Sequence, residues 1–321
     1  MKSINGTWFE FHHHNLPEGV YWNKECRQFT DEQWETKVSE IALLGMHYIV
    51  LMASAMVYPD SCEAYFQTDI YPQAAMTARD PMEALLRAAD RHDIKVFIGA
   101  GFYGFWQDTL RNMVDPDVTK RAFKAMEQLY ARYGHHPSFY GWYLPDELGI
   151  CPYYSEDFIR YTNLYTAHGK SFDSKLQVLI APYGTNMLKA DDTYVRQLER
   201  LDCDIIAYQD EVGVQKSTAA HTPAYYEALR KAHDKAGRAA LWADMEVFQF
   251  EGNVYYSALL PAPMERIEQQ IKSISPYVDK ILMYQYLGMF NKPGTTAFCG
   301  HPNSTRLYSD YATWLKNNFS I

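Results

Sequence analysis

The sequence has 321 residues, 47% hydrophobic and 21% charged, with a net charge of −9. Such a composition supports a sizeable buried core and does not fit a disordered chain. The acidic balance, without any Lys/Arg block, excludes the electrostatic footprint of a nucleic-acid binder and disfavours an anionic membrane surface.

The five cysteines, Cys26, Cys62, Cys151, Cys203 and Cys299, are scattered, with no CxxC pair and no zinc spacing, so they read as free thiols. The segment 1–10 has no apolar leader, and no apolar run is long enough to cross a bilayer. As written, the chain is expected to be soluble and unexported, or an exported protein if a leader precedes it.

In chain order, β-branched or aromatic runs bounded by breakers predict strands at 4–11, 48–54, 95–101, 139–144, 177–182, 204–208, 239–243 and 280–285. Helical patterns fill each gap, and their starts carry cap chemistry. Thr30 with Gln33 forms a capping box, Asp80 precedes Pro81 with Glu83 beyond it, and Asp115-Pro116 and Thr222-Pro223 repeat the cap-then-proline signal. Ser155 is placed to cap the helix after the fourth strand.

The connections are unequal in a directional way. Helix-to-strand links are brief, whereas the strand-to-helix segments 12–29, 55–79, 102–114, 247–263 and 286–303 are long. Eight β-then-α units with that asymmetry predict a single-domain (β/α)8 TIM barrel over residues 1–321, with the long loops gathered at its C-terminal face. A doubly wound sheet shares the pattern, but no Gly-rich phosphate loop follows the first strand.

Acidic residues sit at the strand tips where a barrel places chemistry. Period-two alternation points Trp242, Asp244 and Glu246 inward on the seventh strand, and Tyr143, Pro145 and Glu147 inward on the fourth. Two carboxyls at one mouth point to glycoside hydrolysis, which needs one neutral acid and one ionised group. Glu147 is the candidate acid/base and Glu246 the candidate nucleophile or base. Asp146, Asp244, Asp210, Glu211 and Glu10 are further candidates for catalysis or substrate contact.

The chain contains 15% aromatic residues, 26 of them tyrosine, which can stack on sugar faces and hydrogen-bond hydroxyls. Trp8, Tyr103, Trp106, Tyr208, Trp242, Tyr284 and Tyr286 lie near strand ends, with Gln209, His12 and His14 as polar candidates for the same carbohydrate substrate.

The motifs Gly141-Trp142-Tyr143-Leu144-Pro145-Asp146-Glu147 and Ala243-Asp244-Met245-Glu246 resemble those of the large clan of retaining (β/α)8 glycosidases. In that clan the acid/base ends the fourth strand and the nucleophile the seventh. The clan usually has asparagine before the acid/base and proline after it, where this chain has Asp146 and Leu148. Together with Ala207-Tyr208-Gln209-Asp210-Glu211-Val212-Gly213, the motifs are similar to a bacterial family of glycosidase-like barrels labelled only as a domain of unknown function. The resemblance implies the fold more than the substrate, and the leading expectation is a metal-independent, cofactor-free glycosidase acting on an oligosaccharide or polysaccharide.

Two other classes compete. Asp146 in place of asparagine would suit a carbohydrate-binding barrel without chemistry. His12 and His14 match the H-x-H that opens metal-dependent amidohydrolase barrels, but the tips of strands five, six and eight lack the remaining ligands, so no metal is expected. No serine elbow and no activated cysteine supports acyl transfer.

Overall fold

A computed structural model describes residues 1–319. Eight parallel strands close into a barrel: β1 (Gly6–Phe9), β2 (Tyr48–Leu51), β3 (Lys95–Gly99), β4 (Phe139–Leu144), β5 (Gln177–Ile180), β6 (Ile205–Gln209), β7 (Ala240–Glu246) and β8 (Lys280–Tyr284). Each strand pairs with its sequence neighbours, and β8 closes on β1 through Gly6↔Leu282 and Thr7↔Met283.

One major helix follows each strand: α1 (Asp31–Leu43), α2 (Pro81–Arg91), α3 (Pro116–Tyr133), α4 (Glu156–Phe172), α5 (Asp192–Arg200), α6 (Thr222–Ala236), α7 (Met264–Ile274) and α8 (Asn303–Asn318). The caps form as their chemistry dictates. Thr30 and Gln33 complete a reciprocal box at α1, Asp80 accepts from Glu83 N–H at α2, and Ser155 accepts from Phe158 N–H at α4. Thr222 is an exception. It is already helical, and its hydroxyl donates to the Ala219 carbonyl at 3.1 Å instead of capping.

Rings from strands on opposite sides of the barrel touch, which requires them to lie inside it. Trp8 meets Tyr143 at 5.8 Å between centroids, and Phe97 meets Trp242 at 6.3 Å. The interior at these rings is therefore a packed core. The predicted strands all form, with ends displaced by a few residues. β7 runs on three residues to Glu246 because Leu282, Met283 and Tyr284 of β8 continue to pair with it. Two antiparallel hairpins decorate the C-terminal loops, Ala55–Val57 with Cys62–Ala64 and Phe248–Phe250 with Leu259–Pro261. All five cysteines are free. Among the described residues no helix is long and apolar enough to cross a membrane.

Candidate active site

A cavity of about 760 Å³ opens at the C-terminal mouth. Its floor and walls come from strand tips: Glu147 beyond β4, Gln209 and Glu211 at β6, Asp244 and Glu246 on β7, and Tyr284 on β8. The β1–α1 loop adds His14 and Glu18, and Trp106 comes from the β3–α3 loop. Tyr183, Tyr255 and Tyr256 form a further aromatic wall, the last two from the tip of the hairpin after β7. Tyr256 is 82% exposed.

Glu147 is gripped at both oxygens. Tyr143 donates its hydroxyl to Oε1 at 2.5 Å and Gln209 its amide to Oε2 at 2.6 Å. Burial nevertheless pushes its carboxyl up to about 7, against those two donors. A group poised there exchanges a proton readily near neutral pH.

Glu246 is 4% exposed, and Oε2 accepts the Val214 N–H at 2.8 Å. The β6–α6 loop can deliver that N–H because Gly213 packs directly on the strand. A Cβ at Gly213 would come within 2.8 Å of the Phe248 carbonyl oxygen and 3.0 Å of Glu246 Cβ. Burial and the Asp210 charge push Glu246 well up, and the Val214 N–H and Arg266 guanidinium oppose the shift.

Asp244 is raised by burial and by the Glu147 and Glu246 charges. Its Oδ1 has no hydrogen-bond partner among the described residues. Asp210 supports the site from behind: it accepts from the backbone N–H of Glu246 at 3.0 Å and from Gln270 at 2.7 Å.

Of the residues singled out in the sequence, the cavity gathers Glu147, Glu246, Asp244, Glu211, Gln209, His14, Trp106 and Tyr284. The others lie elsewhere, Asp146 and Tyr208 as the alternation dictates. Asp146, one residue from Glu147, turns outward to Asn112 at 3.0 Å, and burial pushes it up to about 6. Tyr208, one residue from Gln209, faces the helices and bonds Tyr194 and His233. Tyr286 lies past the end of β8, where its hydroxyl reaches Glu40 of α1. Trp242 does point inward but lies deeper, against Tyr48 at 5.0 Å. Trp8 is fully buried beneath Tyr143 and Tyr284. Tyr103 bonds Ser54 and stacks on Tyr71, and His12 bonds Tyr58.

Glu10 belongs to a buried network under the mouth. It accepts from Trp22 and Gln285, and both its oxygens face His13 Nδ1 at 2.9 Å. His13 Nε2 meets Glu18 at 3.1 Å. Against the desolvation of its site, the Glu10 and Glu18 carboxylates raise His13 to about 10, so it is a cation held between two anions. Donor atoms of Glu10, His13 and His14 lie within 4.8 Å of one another. A histidine with both nitrogens committed to carboxylates is not free to bind a metal there. His14 is neutral, its value lowered to about 4 by burial and by the His13 charge.

Sequence reasoning missed Glu18, Lys216, Tyr183, Tyr255 and Tyr256. Tyr183 follows Pro182 at the tip of β5 and could have been found by the strand-end rule applied to Glu147. The others lie in loops whose path no local pattern specifies.

A closed parallel barrel with two acidic strand tips in one aromatic-walled mouth defines a glycosidase-like (β/α)8 barrel. Residues 4–297 match the family described as "Domain of unknown function (DUF4434)", and the chain belongs to it. No curated protein sequence matches it. Solved structures similar to it include a Bacteroides thetaiotaomicron protein described as a "putative alpha-L-fucosidase", 14% identical at TM-score 0.76, covering 98% of this chain and 93% of that one. A glycoside hydrolase family 5 mannosidase from Rhizomucor miehei is 12% identical at TM-score 0.58, covering 98% and 93%. A GH5_18 protein from Streptomyces cattleya in complex with Manb1-4GlcNAc is 15% identical at TM-score 0.57, covering 98% and 81%. At these identities the likeness is one of fold.

Proposed function

We propose that the protein is a glycoside hydrolase acting on an oligosaccharide or polysaccharide, with Glu147 as acid/base and Glu246 as nucleophile. The observation that carries this is the convergence of Glu147 from the β4 tip and Glu246 from β7 on one cavity with an aromatic wall. The solved structures named above include glycoside hydrolases.

In the first step the Glu147 proton passes to the leaving glycosidic oxygen while a Glu246 oxygen bonds the anomeric carbon. In the second, Glu147 takes a proton from water, which attacks that carbon and releases Glu246. Neither step calls for a metal, so activity should survive a chelator. Burial and Asp210 work against an ionised Glu246 in the empty site. Positive charge developing on the sugar ring acts in the opposite sense and favours the ionised form where the reaction needs it.

The test puts wild type and Glu147→Gln against a broad glycan panel in ¹⁸O-labelled water, with released reducing ends read by mass spectrometry. Label incorporation by wild type and not by the variant is the expected result. Asp146 favours a second reading, a carbohydrate-binding barrel without turnover, because the position before Glu147 offers no amide and its side chain turns from the cavity. Calorimetric glycan binding without any release of sugar would establish that reading instead.

A further inference from the structure

The cavity holds more carboxylates than two-carboxyl chemistry uses. Glu211 is 1% exposed and lines the cavity, yet neither of its oxygens has a hydrogen-bond partner among the described residues. A carboxyl group in that state is expensive to bury. A site that keeps one has left its lone pairs for something that arrives.

The cation facing it is Lys216, whose Nζ stands 3.9 Å from Glu211 Oε1, too far for a hydrogen bond. The separation is built in. The Lys216 backbone N–H is bonded to the Glu211 carbonyl at 3.0 Å. Its ammonium lies over the rings of Tyr183 and Tyr255, at 5.2 and 5.7 Å from their centroids.

A hydroxyl group matches this gap. An oxygen about 2.8 Å from each atom would bridge it with an angle of roughly 90° at the oxygen. Such a group donates to Glu211 and accepts from Lys216 at once. An ammonium substituent would face the Lys216 charge. A carboxylate substituent would face Glu211.

We propose that Glu211 and Lys216 together read one hydroxyl of an uncharged sugar, selecting neutral sugars over uronic acids and free amino sugars at this subsite. The proposal rests on the carbohydrate reading given above and deepens it.

The test measures binding rather than turnover. Ligand-observed NMR titrations use D-mannose, D-glucose, D-galactose, L-fucose, D-glucuronate and D-glucosamine with wild type, Lys216→Met and Glu211→Gln. At least one neutral sugar is expected to bind wild type, with glucuronate and glucosamine at least about tenfold weaker. Each variant should weaken the neutral sugar by about tenfold or more, the scale of a lost hydrogen bond to a charged group. Without sugar, Glu211→Gln should leave the Tm unchanged or higher, because the side chain has no hydrogen bond to lose. A carboxylate with a merely structural role would lower the Tm when neutralised, and that outcome overturns the proposal. So does neutral-sugar binding that both variants keep within twofold, or a preference for glucuronate. If no sugar binds wild type, the carbohydrate reading itself falls and this one with it.

Discussion

Replacing Glu147 with glutamine separates its chemistry from its electrostatics. The wild-type carboxyl is pushed from 4.5 up to about 7, mainly by burial. Between those values the folded protein holds a proton that the unfolded chain has released, so wild-type stability falls as pH rises from 4.5 to 7. At about 1.36 kcal/mol per unit the ceiling is roughly 3 kcal/mol, and the partial opening of Glu147 to the cavity reduces it to about 2. Glutamine keeps the shape, can accept from Gln209 and can donate to Tyr143, but carries no charge at any pH. The stability of Glu147→Gln relative to wild type should therefore grow by about 2 kcal/mol between pH 4.5 and pH 8. In a protein of this size that is about 4 °C in Tm or somewhat less. Turnover should drop by about 10² to 10⁴-fold, with partial recovery on substrates whose leaving group needs no protonation. The assay is paired thermal unfolding at the two pH values. A stability difference unchanged between them would refute the claim that burial holds this carboxyl up, and with it the reason for assigning Glu147 as the acid.

Three further outcomes follow from the same geometry. Glu246→Gly should lose turnover on every substrate. Added azide should restore release from an activated glycoside and give a glycosyl azide of inverted anomeric configuration, whereas an inverted azide formed instead by Glu147→Gly would exchange the two roles. His13→Gln leaves Glu10 and Glu18 facing one another across the buried site, and should destabilise the fold by about 3 kcal/mol or more in urea unfolding at pH 6. The His13 contribution is fully present below the ordinary histidine value of 6.5 and is lost as pH rises towards about 10. The gap between wild type and His13→Gln should therefore close in alkali. Gly213→Ala should displace the Val214 N–H from Glu246, lowering kcat more than it raises KM in steady-state assays, while Gly252→Ala, in the open hairpin tip, changes neither.

The barrel was legible in the sequence because its signals are local and repeated. Each strand is a short apolar run, the first four major helices carry readable caps, and the loops differ in length by direction. The inward facing of Asp244 and Glu246 was legible for a similar reason, since alternation along β7 continues without interruption to the strand tip. Past the strand ends the rule holds at Glu147 but not generally. Glu211 stands in a left-handed backbone conformation, at φ 54°, so no period could assign it a face, although it reaches the cavity. Tyr286 likewise lies past the end of β8, and its hydroxyl goes to a helix. Among the three consecutive histidines, spacing drew attention to His12 and His14. The middle one carries the charge, because Glu10 comes three residues before it and Glu18 five residues after, and only the folded loop brings both to one ring.

The electrostatics of the mouth have a single logic. Glu147, Asp244 and Glu246 are all pushed upward chiefly by burial, and Asp244 also by its two neighbours. A structure selected for stability alone would have replaced some of these groups with apolar ones, since paired burial of like charges has no compensating gain in the empty protein. The penalty becomes useful only when positive charge develops in the cavity, as it does on a sugar ring during glycosidic cleavage. In the proposed reaction one carboxyl that has kept its proton then gives it up, and one that was reluctant to ionise is favoured in its charged form. Neutralising Asp244 should accordingly stabilise the empty fold and slow turnover together. A Asp244→Asn variant that is less stable than wild type at pH 8 would mean that the carboxylate cluster is a structural network and not a store of transition-state stabilisation.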